Sequence, residues 1–442
     1  MKSILVSIVL FSLWTFQLSA QETPEQKDQR MEWFRDAKLG VFIHWGIYSV
    51  KGIDESWSFY NNYISYPDYM KQLKGFTASN YKPEEWVRLI KESGAQYAVL
   101  TTKHHDGVAL WDTKCSDLNV VKKSPAKRDL VAPFVSELRK NNLKVGLYYS
   151  LLDWSHPDYP NWTKTEKRYE KDSVRWDRFV KFDFCQLEEL SKQFKPDLYW
   201  FDGDWEQSAA AWKAKELSSQ LRSWVPGIIL NSRLQGYGDY ATPEQGLPVT
   251  RPDSKWWELC MTTNDSWGYQ FNDHNYKSPN QIIRILVDCI SMGGNLLLDI
   301  GPKPDGTIPE EQVNILKELG RWTNKHKEAI YGTRAGIPYG HFYGPTALNK
   351  EGDILYLYLP YKPNGPIEIK GLKNKINRIW VVGDGAKLNW KVYGKLYWSS
   401  VPGIVYIDVP EKVQDDQVTV IAVLLDGKVD LYREKGQVVE SN

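Results

Sequence analysis

The 442-residue sequence is short of several things, and each shortage excludes a class of protein. It has only four cysteines, Cys115, Cys185, Cys260 and Cys289, whose spacings match no zinc motif and are too sparse for a disulfide framework. Cys185 and Cys289 fall in apolar patterns of helical period and read as buried free thiols. Neither sign of charge is in excess: 56 Lys and Arg stand against 55 Asp and Glu, with no block of like charges. That balance argues against a nucleic-acid partner held by electrostatics and against an acidic disordered tail. No GxGxxG follows the first strand and there is no Walker loop, so nothing supports a nucleotide fold. Internal repeats and low-complexity tracts are missing. Beyond the first twenty residues no apolar run is long enough to span a membrane.

Aromatics, by contrast, are abundant: 20 Trp and 26 Tyr, with aromatics at 14% overall. Such side chains fill cores, and they also stack on the apolar faces of sugar rings. The N-terminus carries an address. Lys2, the mostly apolar stretch from Ile4 to Leu18, and Leu18-Ser19-Ala20 have the three parts of a secretory signal peptide, with cleavage expected after Ala20. A membrane anchor is the alternative, but the apolar run is short for the ~20 residues of a span. The chain is therefore expected to be exported, to the periplasm or beyond the cell.

The length exceeds one ordinary domain. Over about 300 residues, strand-like and helix-like runs alternate. Leu39–Trp45, Tyr97–Thr102, Val145–Ser150, Leu198–Asp202, Ile228–Asn231 and Asn295–Ile300 read as strands. Pro83–Ser93, Asp129–Lys140, Arg168–Phe194, Gln207–Trp224 and Pro309–Ile330 read as helices. This order predicts a parallel (β/α)8-like TIM barrel over residues 21–335, with a doubly wound sheet as the alternative. After residue 336 short strands separated by turns predict an antiparallel β-sandwich through residue 442. His44, His104, His105, Tyr149, Asp202 and Arg233 all follow strand ends, which a barrel gathers on one face.

The chemistry begins at Trp200-Phe201-Asp202-Gly203-Asp204-Trp205. A carboxylate at a strand tip between tryptophans suits a glycosidase nucleophile, although Asp-Gly is also ordinary turn chemistry. A retaining glycosidase needs a second carboxyl ~5–5.5 Å away. Glu244, in the loop after Arg233, and Glu258, which follows Trp256-Trp257, are the candidates; the flanking tryptophans would desolvate Glu258 and raise its pKa. His104-His105-Asp106 could be read as a metal site, but neighbouring residues on an extended strand face opposite ways, so hydroxyl binding is the better reading.

Phe42-Ile43-His44-Trp45-Gly46, Thr102-Lys103-His104-His105-Asp106-Gly107, Trp200-Phe201-Asp202-Gly203 and Ser266-Trp267-Gly268-Tyr269 resemble, in order, the motifs of glycoside hydrolase family 29. These are retaining α-L-fucosidases with a (β/α)8-like barrel and a C-terminal β-sandwich. The resemblance implies Asp202 as nucleophile and Glu244 as acid/base, with Glu258 as runner-up. It implies that His44, Trp57, His104, His105, Tyr149, Trp200, Arg233 and Trp267 hold the fucose, and that no metal or organic cofactor is needed. Many members carry Glu immediately before the Trp matched by Trp57; here Ser56 stands there and Glu55 lies one earlier. The implied substrate is a fucosylated oligosaccharide or glycoconjugate. A non-catalytic sugar-binding protein, a metal-dependent hydrolase using the His pair, and a glycosidase for a related sugar such as galactose are the alternatives.

Overall fold

The computed structural model describes residues 22–433. The signal-peptide reading of residues 1–20 lies outside them. Seven parallel strands form one curled sheet: β1 (Leu39–Ile43), β2 (Tyr97–Lys103), β3 (Lys144–Ser150), β4 (Leu198–Asp202), β5 (Ile229–Leu230), β6 (Glu258–Thr262) and β7 (Asn295–Ile300). Their order across the sheet is β5-β4-β3-β2-β1-β7-β6. All six expected strands begin and end within two residues of these bounds. Val145–Ser150, Leu198–Asp202 and Asn295–Ile300 are buried on both faces, so they read as nearly continuous apolar runs. β6 was not among the expected strands.

The two faces of the sheet sort by parity, because successive side chains on a strand point to opposite sides. Phe42, Val99, Tyr148, Trp200, Cys260 and Leu297 fall in one cluster on the concave face. Met31, Phe34 and Ala37 of the helix Pro24–Ala37 join that cluster and plug the end where the strands begin. Val41, Ile43, Leu100, Leu147, Tyr149, Tyr199 and Phe201 point the other way and pack under the surrounding helices.

The helices follow their sequence signals. Pro83–Glu92 starts on its proline and buries Trp86, Val87, Leu89 and Ile90. Val131–Lys140 is capped by Asp129, whose Oδ1 accepts from the N–H groups of Val131 and Ala132, both at 2.8 Å. Pro133 lies in its first turn, where a missing N–H costs no helical hydrogen bond. Ser173–Phe194 begins later than the apolar pattern predicts, at Asp172, whose carboxylate caps Val174 and Arg175. Cys185 on that helix is not a free thiol: it is bonded to Cys115, 70 residues earlier, with the two Cα atoms 6.1 Å apart. Helical period marked Cys185 as a core position, and spacing alone could not bring the loop after β2 against it. Cys289 is free and buried, as expected.

Eight further strands are antiparallel: β8 (Arg334–Ala335), β9 (Thr346–Leu348), β10 (Ile354–Leu359), β11 (Ile367–Lys370), β12 (Ile376–Val381), β13 (Trp390–Tyr393), β14 (Ile404–Ile407) and β15 (Thr419–Leu425). They form sheets of order β12-β15-β10-β9-β8 and β11-β14-β13. Leu355, Leu357, Ile421 and Val423 of the larger sheet meet Ile367, Ile369, Val405 and Ile407 of the smaller one in a shared core. The alternate residues Tyr356, Tyr358, Val420 and Ala422 face the other way and join the apolar layer around the parallel sheet. One sheet thus serves two cores by its period-2 pattern. Among the described residues no helix is long and apolar enough to cross a membrane.

Candidate active site

A cavity of about 230 Å³ opens at the C-terminal ends of the parallel strands. His44, Trp57, His104, Trp200, Asp202, Arg233, Glu244 and Trp267 line it, as do Phe42, Glu55, Tyr148 and Trp205. Asp202 is the last residue of β4, and Gly203 turns the chain away at φ +81°. A side chain at Gly203 would be strained there and would put its Cβ 2.5 Å from Leu152. One Asp202 oxygen accepts from Arg233 Nη1 at 2.7 Å and the other from the Tyr148 hydroxyl at 2.9 Å.

Arg233 also donates through Nη2 to Glu244. Two carboxylates on one guanidinium are held a few ångströms apart. Burial works against the Arg233 charge, but Asp202 and Glu244 outweigh it and its pKa is raised. The guanidinium lies 4.4 Å from the centre of the Trp200 ring, which fixes it from below. Glu244 stands on a segment stitched between β5 and β6 by bridges Asn231↔Tyr240, Ala241↔Trp257 and Glu244↔Cys260. Its side chain is 40% exposed, against 12% for Asp202.

The histidines form the opposite wall. Burial pushes all three imidazoles well below the ordinary histidine range, so each is neutral and offers one donor and one acceptor. His44 Nδ1 lies 2.6 Å from Asp299 Oδ1 on β7, whose carboxyl is pushed well up by burial and by Glu55. His104 Nδ1 pairs with Ser56 Oγ at 2.7 Å. His105 Nδ1 pairs with Ser150 Oγ at 2.6 Å, and that hydroxyl donates its only proton to the Leu152 carbonyl. Nδ1 therefore carries the proton and Nε2 is the acceptor. Nε2 has no hydrogen-bond partner among the described residues and lies 3.5 Å from Asp202 Oδ2. His105 is fully buried and, unlike His44 and His104, does not line the cavity. Past Lys103 the chain leaves the strand, so both His104 and His105 come to the site, their rings 4.3 Å apart.

Tyr149 is a correction. Its hydroxyl lies 2.8 Å from Asp183 and 2.9 Å from Gln186, under the helix Ser173–Phe194, and accepts from Lys103 at 3.0 Å. The register pairs Tyr148 with Trp200 and Tyr149 with Phe201, so Tyr148 is the pocket residue. The sequence held the signal: Tyr148 shares the parity of Ser150, which pairs with Asp202. Ser56 and Glu55 have divided duties. Ser56 anchors His104, while Glu55, at the start of the turn before the helix Trp57–Tyr60, lines the pocket and accepts from the Gly268 N–H at 2.6 Å. Burial raises its pKa to about 7.

Glu258, on β6, is fully buried and its pKa is pushed up to about 7 by burial. It accepts from Trp200 Nε1 at 3.0 Å and from the Tyr97 hydroxyl, and it does not line the cavity. Phe42 and Asp299 were missed by sequence reasoning, although Phe42 sits two residues from His44 and so faces the same way.

The family model described as alpha-L-fucosidase matches residues 14–328. Human tissue alpha-L-fucosidase is 31% identical over 414 residues, covering 86% of this chain and 85% of that one. Alpha-L-fucosidase isoenzyme 1 from Paenibacillus thiaminolyticus superposes with a TM-score of 0.83 at 33% identity, covering 90% of this chain and 99% of that one. A family 29 alpha-L-fucosidase from Bacteroides thetaiotaomicron, trapped as a covalent intermediate with 2-fluoro-fucosyl fluoride, gives 0.80 at 26% identity, with 90% and 97% covered. On the match of model, sequence and fold, the chain belongs to the alpha-L-fucosidase family, glycoside hydrolase family 29.

Proposed function

We propose that the chain is a retaining exo-α-L-fucosidase that releases terminal α-L-fucose from oligosaccharides or glycoconjugates, with Asp202 as nucleophile and Glu244 as acid/base. The observation that carries this is the single guanidinium of Arg233 shared by Asp202 and Glu244 above a cavity of about 230 Å³. That volume falls below the ~300 Å³ at which drug-sized sites begin, and suits one sugar ring at a chain end. Asp202 attacks the anomeric carbon while Glu244 protonates the leaving oxygen. Glu244 then deprotonates the water that releases fucose, so two inversions leave the configuration retained. Glu258 is the weaker candidate for the acid, because its carboxyl is buried against Trp200 and Tyr97.

The neutral imidazoles of His44 and His104, which line the cavity, would take sugar hydroxyls without competing with Asp202 for charge. Phe42, Trp200 and Trp267 line one corner, with Phe42 ring-to-ring at 5.0 Å from Trp200 and 6.2 Å from Trp267. A methyl group suits it. The hydroxymethyl of galactose would bring a hydroxyl there, which an apolar corner rejects by ~10²-fold.

In the same reading, residues 239–245 stand in for the eighth strand and close the sheet into a (β/α)8-like barrel, supported by their bridges to both edge strands. The catalytic domain would run over 21–335 and a β-sandwich domain over 336–442. Export with cleavage after Ala20 is supported by the Cys115–Cys185 disulfide, which suits an oxidising compartment.

The test is proton NMR of aryl α-L-fucoside hydrolysis. First-formed α-fucose is expected. First-formed β-fucose would overturn retention, and binding of fucose with no hydrolysis would make the chain a non-catalytic sugar-binding protein.

A further inference from the structure

Far from the pocket, a cleft of about 640 Å³ opens where the helix Pro279–Ser291 meets the antiparallel sheets. Asp288, which lines it, lies near the end of that helix, just before the chain enters β7 from its N-terminal side. The cleft is therefore on the opposite end of the parallel sheet from Asp202.

Its rim carries Tyr339, 73% exposed, and Tyr343, 84% exposed, with the half-exposed Tyr361 beside them. Large aromatics gathered on a surface mark a binding site more often than chance exposure. Tyr343 and Tyr361 are also held in place. The Tyr361 hydroxyl donates to the Tyr343 carbonyl at 3.1 Å, and the two rings meet edge-on at 5.8 Å. Phe342, between Tyr343 and the fold, is buried in the core shared by the two antiparallel sheets.

The polar lining is unspent. Among the described residues the side chains of Asp288, Asn364 and Glu368 make no hydrogen bond. Asp288 and Glu368 against Lys370 leave no positive excess to attract an anion. A second hollow of about 480 Å³ adjoins across Pro363–Pro366, which lines both, so the groove is longer than one sugar.

Ring faces open to solvent beside free amide and carboxylate groups match the two sides of a sugar, an apolar face and an edge of hydroxyls. We propose that this cleft is a second, non-catalytic binding site for a neutral oligosaccharide, with Tyr339 and Tyr343 as stacking platforms and Asn364 and Glu368 as hydroxyl partners. Bound there, a large glycoprotein stays at the enzyme surface, and a second glycan on the same carrier reaches the pocket when the carrier spans the distance between the two ends of the sheet. The site does not depend on the catalytic reading, which guides only the choice of probe.

The experiment uses the full chain carrying Asp202→Ala, passed over an immobilised fucosylated glycoprotein in saturating L-fucose, which occupies the pocket. Retention is expected to persist in L-fucose. Adding Tyr339→Ala with Tyr343→Ala is expected to weaken it at least tenfold, and Asn364→Ala to weaken it less. With Asp202 intact, the tyrosine pair variant should turn over an aryl α-L-fucoside like the parent but release fucose from the glycoprotein more slowly. The proposal is overturned if retention disappears in L-fucose, or if the tyrosine pair variant, folded by its unfolding temperature, is retained as well as its parent. Failure of the catalytic reading would appear separately, in aryl fucoside turnover.

Discussion

The two walls of the pocket are built on opposite plans. The histidine wall is deeply buried, uncharged, and held from behind, with Asp299, Ser56 and Ser150 each fixing one imidazole nitrogen. The carboxylate wall is charged and partly open, and its members hold one another: Asp202, Arg233 and Glu244 form one chain of ion pairs. The difference teaches how work is divided. Groups that recognise a neutral sugar gain from being rigid and neutral, since each ring nitrogen then has a fixed donor or acceptor role. Groups that form and break bonds must exchange charge and admit water, so they stand nearer the opening.

The sharpest break of this contrast is Asp202→Ala. Turnover of an aryl α-L-fucoside should fall by about 10⁴-fold or more, and added azide should restore it as the β-fucosyl azide. Restored product of α configuration would place the nucleophile elsewhere. Glu244→Gln comes next. Loss of about 10²–10⁴-fold is expected on poor leaving groups and much less on an aryl leaving group that needs no proton. Equal loss on both would remove Glu244 from the acid role.

The adjacent tyrosines separate wall from support. Tyr148→Phe removes a hydrogen bond to a carboxylate and should lower kcat/KM by about 10–100-fold. Tyr149→Phe should leave kcat/KM within about twofold while lowering stability by about 1–3 kcal/mol, because buried Asp183 and Gln186 lose a partner. Reversed effects would mean the register is wrong by one residue.

Glu258→Gln is read in the pH dependence of stability alone. The folded pKa of Glu258 is raised from about 4.5 to about 7, chiefly by burial. The folded state therefore binds the proton more tightly than the unfolded chain. Its contribution is fully present below about pH 4.5 and is lost as pH rises through about 7, on the order of 3 kcal/mol in all. The permanently neutral glutamine should flatten this fall, seen as a smaller drop in unfolding temperature between pH 5 and pH 8. An unchanged drop would show that Glu258 is already ionised at pH 5.

Much of the parallel sheet was legible because its strands are buried on both faces, and β4 and β7 are also bounded by glycine or aspartate. β6 was not, because Glu258 opens it and two tryptophans precede it, so the run did not read as a strand. The residues at strand tips were legible as types, and the fold does bring His44, His104, Asp202 and Arg233 together around the cavity, with His105 buried behind them 3.5 Å from Asp202. Which of two adjacent tyrosines faces inward needed the parity of the neighbouring strand. The Cys115–Cys185 bond and the Asp299–His44 pair needed distance, which joins residues far apart in the chain and leaves no local pattern.

Glu244 hangs on a segment tied to its neighbours by three isolated bridges, whereas Asp202 ends a strand laddered to β3 along its whole length. In evolutionary terms this makes the two carboxylates unequal. Moving Asp202 by one position would turn its side chain from the concave to the convex face and unpick the ladder around it. The stretch between Tyr240 and Trp257, which lies beyond Arg233, can gain or lose residues at the cost of a few bridges, so a lineage can relocate its proton donor while leaving its nucleophile where it stands.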